Sequence, residues 1–141
     1  MLRYGLVLSA ALMLTGCGLF QSAGRDIDKT RMAAFAARSE FPSTQPSGDL
    51  KLTAIVNRDN STIKIVNASD QPLRDVAVWI NGNFVTQVDS ISAHSTQILG
   101  RGEFFNNRGR QMSEVNATVS NVVIESQGKV YSVSGPVFER D

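Results

Sequence analysis

The chain has 141 residues, and its 14 basic and 13 acidic side chains leave a formal net charge of +1 at pH 7. Charges of both signs are interspersed, so the basic stripe that is typical of nucleic-acid-binding proteins is missing. The single cysteine excludes an internal disulfide, and the folded part must therefore be stabilised by its core alone. This length predicts one small domain.

The first residues have the pattern of an export signal. Arg3 precedes an apolar run over residues 5–14, which is too short to span a membrane as a helix of roughly 20 apolar residues. A charged start, a short apolar run and small residues at its end are typical of a secretory signal peptide. No later apolar run is long enough to span a membrane.

The segment Leu14-Thr15-Gly16-Cys17 directly follows this pattern and resembles the lipobox of bacterial lipoproteins. The resemblance implies a diacylglyceryl group on the sulfur of Cys17 and cleavage between Gly16 and Cys17. One acyl chain such as palmitate anchors a protein only marginally, whereas two or three chains give stable anchoring. The alternative is that Cys17 is a buried thiol of a core helix, but a core helix has no reason to end at Gly-Cys-Gly behind a charged start.

The lipobox resemblance also divides the chain and predicts where the protein lies. Residues 1–16 form the signal peptide, and residues 17–48 form a lipid-anchored tether. We expect an exported protein that is held on the cell membrane. In a Gram-negative host, Gly18 in place of Asp resembles the signal for transfer to the outer membrane, on its periplasmic or surface face.

The predicted tether contains a segment of helix-forming composition, residues 25–39, with acidic residues near its start and arginines later. The apolar residues of this segment lie roughly on one side. They are Ile27, Met32, Phe35 and Ala36. We interpret the segment as a solvated, partly helical linker; the alternative is an amphipathic helix that rests on the membrane or on a partner. The Pro-rich residues 41–48 predict an extended spacer, so the folded domain should begin near Asp49.

From residue 49 onward, apolar and polar residues alternate in short runs that turn residues separate, which predicts an all-β domain over residues 49–141. The predicted strands cover residues 50–57, 62–65, 73–80, 83–88, 96–99, 119–125 and 129–133, with a polar connection at 89–95. About seven strands in this pattern indicate an antiparallel β-sandwich. The strand pattern resembles immunoglobulin-like or fibronectin type III-like modules of bacterial envelope proteins, although the paired cysteines of true immunoglobulin domains are missing.

The hairpin at Asn81-Gly82 is the most informative detail, because Asn-Gly between apolar runs favours a two-residue type I′ turn. A two-residue loop would pair Trp79 with Phe84. We assign Val76, Val78, Ile80 and Val85 to the core face, and Ala77, Trp79, Phe84, Thr86 and Val88 to the outer face. An outer aromatic pair would be either covered by the tether or open to a ligand. In the opposite register, Trp79 is the core tryptophan that is common in such sandwiches.

Residues suited to catalysis or metal binding are scattered. His94 is the only histidine and lies in the polar connection, without a cysteine partner or a nucleophile-elbow serine. Acidic residues occur singly and no His/Cys cluster is present, so we expect neither a metal site nor a cofactor nor an enzyme.

Two functions remain open. The first is an envelope lipoprotein whose non-catalytic sandwich has a structural or protein-interaction role, with the membrane and an envelope protein as partners. The alternative is a carbohydrate-binding module for a polysaccharide, in which Trp79 and Phe84 stack on sugar rings while Asn81 and Asn83 donate hydrogen bonds. The low aromatic content favours the first.

Overall fold

The computed structural model describes residues 27–43, 45–46, 50–59 and 61–140, and these residues form one helix followed by eight strands. The elements are α1 (Lys29–Arg38), β1 (Leu52–Asn57), β2 (Thr62–Asn67), β3 (Leu73–Ile80), β4 (Phe84–Ile91), β5 (Ser95–Gly100), β6 (Val122–Ser126), β7 (Lys129–Ser132) and β8 (Ser134–Glu139). Short 3-10 helices lie at Arg101–Glu103 and Met112–Glu114. The predicted signal peptide, Gly16 and Cys17 lie outside the described residues.

The strands form two four-stranded sheets, with the strand orders β5-β2-β1-β8 and β4-β3-β6-β7. Neighbouring strands run antiparallel except β1 and β8, which pair in parallel. Apolar side chains from both sheets share one buried core, as expected when two sheets pack face to face. The prediction of an all-β antiparallel sandwich agrees with this architecture except at the β1–β8 pair, which is parallel.

Alternation along the strands determines which side chains enter this core. On β1, Leu52, Ala54 and Val56 are buried while Thr53 and Ile55 are partly exposed, as the period-two pattern predicts. On β3, the predicted core residues also lie in the shared core. They are Val76, Val78 and Ile80. The facing assignment of β3 is therefore confirmed.

The facing assignment of β4 is wrong by one residue, because the hairpin loop contains three residues. Asn81 and Gly82 have the positive φ angles expected of the turn, 55° and 65°. Asn83 also remains in the loop, and Ile80 therefore pairs with Phe84. A one-residue change in loop length exchanges the two faces of the following strand. Phe84 and Val88 consequently join the shared core, and Val85 faces outward.

Several other strand boundaries differ from the prediction, and β6 begins at Val122 rather than at Val119. β4 extends into the predicted polar connection as far as Ile91, which is buried in the core. β8 was not predicted, since Gly135 and Pro136 interrupt its pattern. Proline lacks the backbone N–H that an interior strand needs, and it is tolerated in β8 because that strand lies at a sheet edge.

Helix α1 packs against the outer face of the second sheet and is not the solvated linker that we predicted. The Asp28 side chain caps its first turn by accepting a hydrogen bond from the Arg31 backbone N–H at 3.1 Å. Met32 and Ala36, four residues apart, are buried on the side that faces the sheet. Within the described residues, no helix has the length and apolar character that a membrane span requires.

Candidate functional site

The four residues predicted to form a ligand-binding surface do not come together in the folded domain. Trp79 lies on the outer face of β3, whereas Phe84 points into the shared core on the opposite face of the sheet. Trp79 pairs across the hairpin with Val85. The predicted aromatic pair is therefore absent, because the three-residue loop shifts β4 by one position.

Trp79 is nevertheless buried, with 4% of its surface exposed, because α1 covers it. The cover is a small apolar cluster separate from the sandwich core. Its buried members are Met32, Ala36, Ala77, Trp79, Val85 and Phe105. Phe41, which follows the helix, places its ring edge-on to the indole with 5.5 Å between the ring centroids. The sequence left open whether an outward-facing Trp79 is covered by the tether or open to a ligand, and the structure shows that it is covered.

The Trp79 indole has one unfavourable feature. Its Nε1 is buried and has no hydrogen-bond partner among the residues that the structure describes. Leaving a buried donor unpaired costs about 1–3 kcal/mol. The apolar contacts that α1 and Phe41 make with the ring must offset this cost.

A small cavity of about 230 Å³ lies beside the covered indole. It is lined by Ala36, Ser39, Glu40, Phe41, Trp79, Gly82, Asn83 and Asn107. Phe41 is 42% exposed and supplies the accessible aromatic surface, while Glu40, Asn83 and Asn107 offer exposed polar groups. Phe41 was not predicted as part of a site, because the Pro-rich segment that contains it was interpreted as a spacer.

Asn81 has a structural role in this region. Its Oδ1 accepts hydrogen bonds from the backbone N–H groups of Ser120 at 2.8 Å and Asn121 at 3.1 Å. Its Nδ2 donates to the carbonyl oxygen of Thr118 at 2.7 Å. These contacts fasten the β3–β4 turn to the segment before β6 and occupy the amide that we had assigned to a ligand.

The edges of the two sheets differ in how they are covered. At the β4 edge, Val85 and Phe105 exchange backbone hydrogen bonds of 2.9 and 3.1 Å. Met32 Sδ accepts a further bond there from the Gln87 backbone N–H at 3.3 Å. The β8 edge has no strand beside it within the described residues, and it exposes 53% of Val137 and 42% of Phe138.

The only histidine lies at a different place, in the turn before β5. His94 Nε2 is 2.5 Å from Asp70 Oδ1, and both side chains are exposed. The part of the chain that the structure describes contains no group of three or more His, Cys, Asp or Glu residues placed to hold a metal ion. This exposed pair joins two neighbouring turns.

No protein-family model matches this chain, and no curated protein or solved structure matches it either. The function must therefore be inferred from the contacts described above together with the sequence pattern near Cys17.

Proposed function

We propose that this chain is an exported lipoprotein, anchored through Cys17, whose non-catalytic sandwich has a structural or protein-interaction role at the cell envelope. Lipidation is proposed from the sequence pattern at Cys17, and the observation that carries a position close to the membrane is the docking of α1 on the second sheet. The segment that follows the lipobox-like motif is thereby packed against the domain that the lipid would anchor. In a Gram-negative host, we assign the protein to the outer membrane.

Helix docking supports this role because it limits how far the sandwich can lie from the membrane. Residues 18–28, between Cys17 and α1, could span at most roughly 40 Å when fully extended. A tether that was free as far as residue 49 could span roughly 110 Å. A domain held this close to a lipid surface is suited to contacts with other envelope components.

We also propose that the sandwich is an immunoglobulin-like or fibronectin type III-like module. Two stacked, largely antiparallel sheets with short strands support this assignment. Such modules commonly serve in recognition, but the fold alone assigns no ligand. The interaction role rests instead on the uncovered β8 edge, where apolar side chains are exposed.

A carbohydrate-binding role is the second candidate, and the cavity beside Phe41 favours it. A half-exposed aromatic ring next to carboxylate and amide side chains is the combination that sugar rings and hydroxyl groups require. This version replaces the predicted Trp79–Phe84 platform with Phe41, Asn83 and Asn107.

The anchor is tested by the Cys17→Ser variant. Without the thiol no lipid can be attached, so we expect the protein to leave the membrane fraction or to accumulate as precursor. Fractionation after a high-salt wash measures this, with Ser22→Ala as a control outside the motif. A Cys17→Ser protein that remains with the washed membranes would contradict lipid anchoring.

The role of the sandwich is tested by affinity purification of the lipidated protein from detergent-solubilised membranes. A protein that co-purifies reproducibly supports the interaction role. Retention on peptidoglycan or polysaccharide that Phe41→Ala abolishes supports the carbohydrate alternative instead.

A further inference from the structure

A second, larger cleft of about 440 Å³ lies at the end of the sandwich where β1 turns into β2, within the range of ligand-binding sites. Two arginines, several hydroxyl and amide groups, and apolar side chains line it. These residues are Val56, Arg58, Ser61, Arg101, Asn116, Ala117, Thr118, Val119 and Phe138. None of the described lining residues carries a carboxylate, so the cleft is positively charged.

The two arginines are available to a ligand. The Arg58 guanidinium lies over the Phe138 ring at 4.3 Å from its centroid, and Arg58 is exposed. Among the described residues, neither Arg58 nor Arg101 makes a side-chain hydrogen bond or ion pair. Glu139, next to Phe138 on β8, instead pairs with Lys64 at 2.7 Å.

The cleft is continuous with the uncovered edge of β8, because Phe138 belongs to both. β8 is the last strand of its sheet, so the outer side of its backbone has no strand partner among the described residues. Exposed sheet edges are templates to which an extended peptide can add by main-chain hydrogen bonds. Pro136 supplies no backbone N–H, so main-chain pairing is confined to the part of β8 after it, residues 137–139. An extended segment paired there would lie beside the arginines at the strand end.

We propose that the arginine cleft and the β8 edge together bind an extended, carboxylate-bearing peptide segment of a partner protein. The guanidinium groups match carboxylates through paired, charge-assisted hydrogen bonds, and Phe138 offers an apolar contact. An acidic polysaccharide could satisfy the arginines but has no strand-like backbone for β8. The inference rests on the proposed interaction role and names the chemistry of the partner.

The test uses the full mature chain in detergent and a short fluorescein-labelled peptide of alternating glutamate and valine. Fluorescence anisotropy should show binding that weakens with added salt, because exposed charges are screened. Arg58→Ala and Arg101→Ala should each weaken binding at least about tenfold, since each removes a charge-assisted hydrogen bond. Arg108→Ala, at an exposed turn outside the cleft, is the matched control and should change nothing.

A second probe separates a peptide from any other polyanion. The same peptide with alternate backbone amides N-methylated keeps its charges but cannot pair with a sheet edge, and we expect it to lose binding. Equal binding of this probe, or of an acidic oligosaccharide, would overturn the peptide assignment. Absence of binding up to about 1 mM, or no effect of the cleft arginines, would overturn the site itself. Membrane fractionation of the Cys17→Ser variant tests lipid anchoring independently. A peptide that fails to bind the cleft would therefore not contradict the lipid anchor.

Discussion

At the residue scale, Trp79 is a buried tryptophan that does not belong to the sandwich core. Its ring lies outside the sandwich core, as the facing of β3 predicts, yet α1 and Phe41 remove it from solvent. Its role is therefore to attach the helix to the sheet. The unpaired Nε1 fits a side chain that was placed for apolar contact rather than for hydrogen bonding.

This position makes Trp79 a sensitive probe of helix docking. Trp79→Ala should lower the free energy of unfolding by about 3–5 kcal/mol, the range for removing a buried tryptophan. Trp79→Phe keeps an aromatic ring and removes the unpaired donor, so we expect it to cost under about 1.5 kcal/mol. Denaturant melts measure both variants, and the emission of this single tryptophan should be blue-shifted in the native protein. Red-shifted emission together with a mild Trp79→Ala effect would contradict the covered position.

At the element scale, sequence patterns predicted that α1 is helical but did not determine what surrounds it. Its composition and the acidic residues near its start indicated a helix, but its sheet-facing stripe is short: Met32 and Ala36 are the buried residues. A stripe this narrow is compatible with solvent, a membrane or the domain itself. The helix packs on the domain because the outer face of β3 and β4 offers it an apolar surface. Ala77, Trp79 and Val85 form that surface.

Docking of α1 can be tested by replacing each of two adjacent alanines, Ala36 and Ala37, with glutamate in separate variants. Ala36→Glu places a charge in the apolar cluster, and an uncompensated buried charge costs about 3–5 kcal/mol. Burying Met32 and Ala36 contributes a comparable amount, about 2–4 kcal/mol, so the helix should leave the sheet. Ala37→Glu, one residue further on the exposed side, should leave it docked.

Trypsin provides the measurement, because Arg31 and Arg38 lie within α1. We expect slow cleavage at both arginines in the unchanged protein and in Ala37→Glu, and fast cleavage in Ala36→Glu. Mass spectrometry of the fragments gives the cleavage sites. Equal cleavage rates in the two variants would mean that the buried side of α1 does not keep the helix on the sheet.

Much of the sheet architecture could be predicted from alternation, whereas the candidate site could not. β1 is confirmed because its burial alternates with a clear period of two. The facing of β3 is confirmed because its predicted core residues lie in the shared core, although its other face is also buried, beneath α1. The β4 register depended on one loop residue, Asn83, whose effect no local pattern indicates, since Asn81 and Gly82 alone satisfy the turn. The cover over Trp79 depends on a contact between distant parts of the chain, which spacing along the sequence does not encode.

At the scale of the whole molecule, the proposed lipid anchor at Cys17, α1 and the sandwich would form a series in which each part limits how far the next can lie from the membrane. If Cys17 carries lipid, residues 18–28 set the greatest distance of the helix from the membrane, and docking transfers that limit to the sandwich. The arginine cleft and the β8 edge would then face partners that lie within the same narrow zone.

Energy transfer in reconstituted vesicles tests this series as a whole. With Cys17 lipidated, Lys129→Cys supplies the one free thiol of the chain for a donor dye, at an exposed position in β7. Vesicle headgroups carry the acceptor. We expect Ala36→Glu to reduce transfer, because undocking lengthens the reach from roughly 40 to roughly 110 Å. Ala37→Glu should match the otherwise unchanged protein, and equal transfer in both variants would show that α1 does not set the distance between sandwich and membrane.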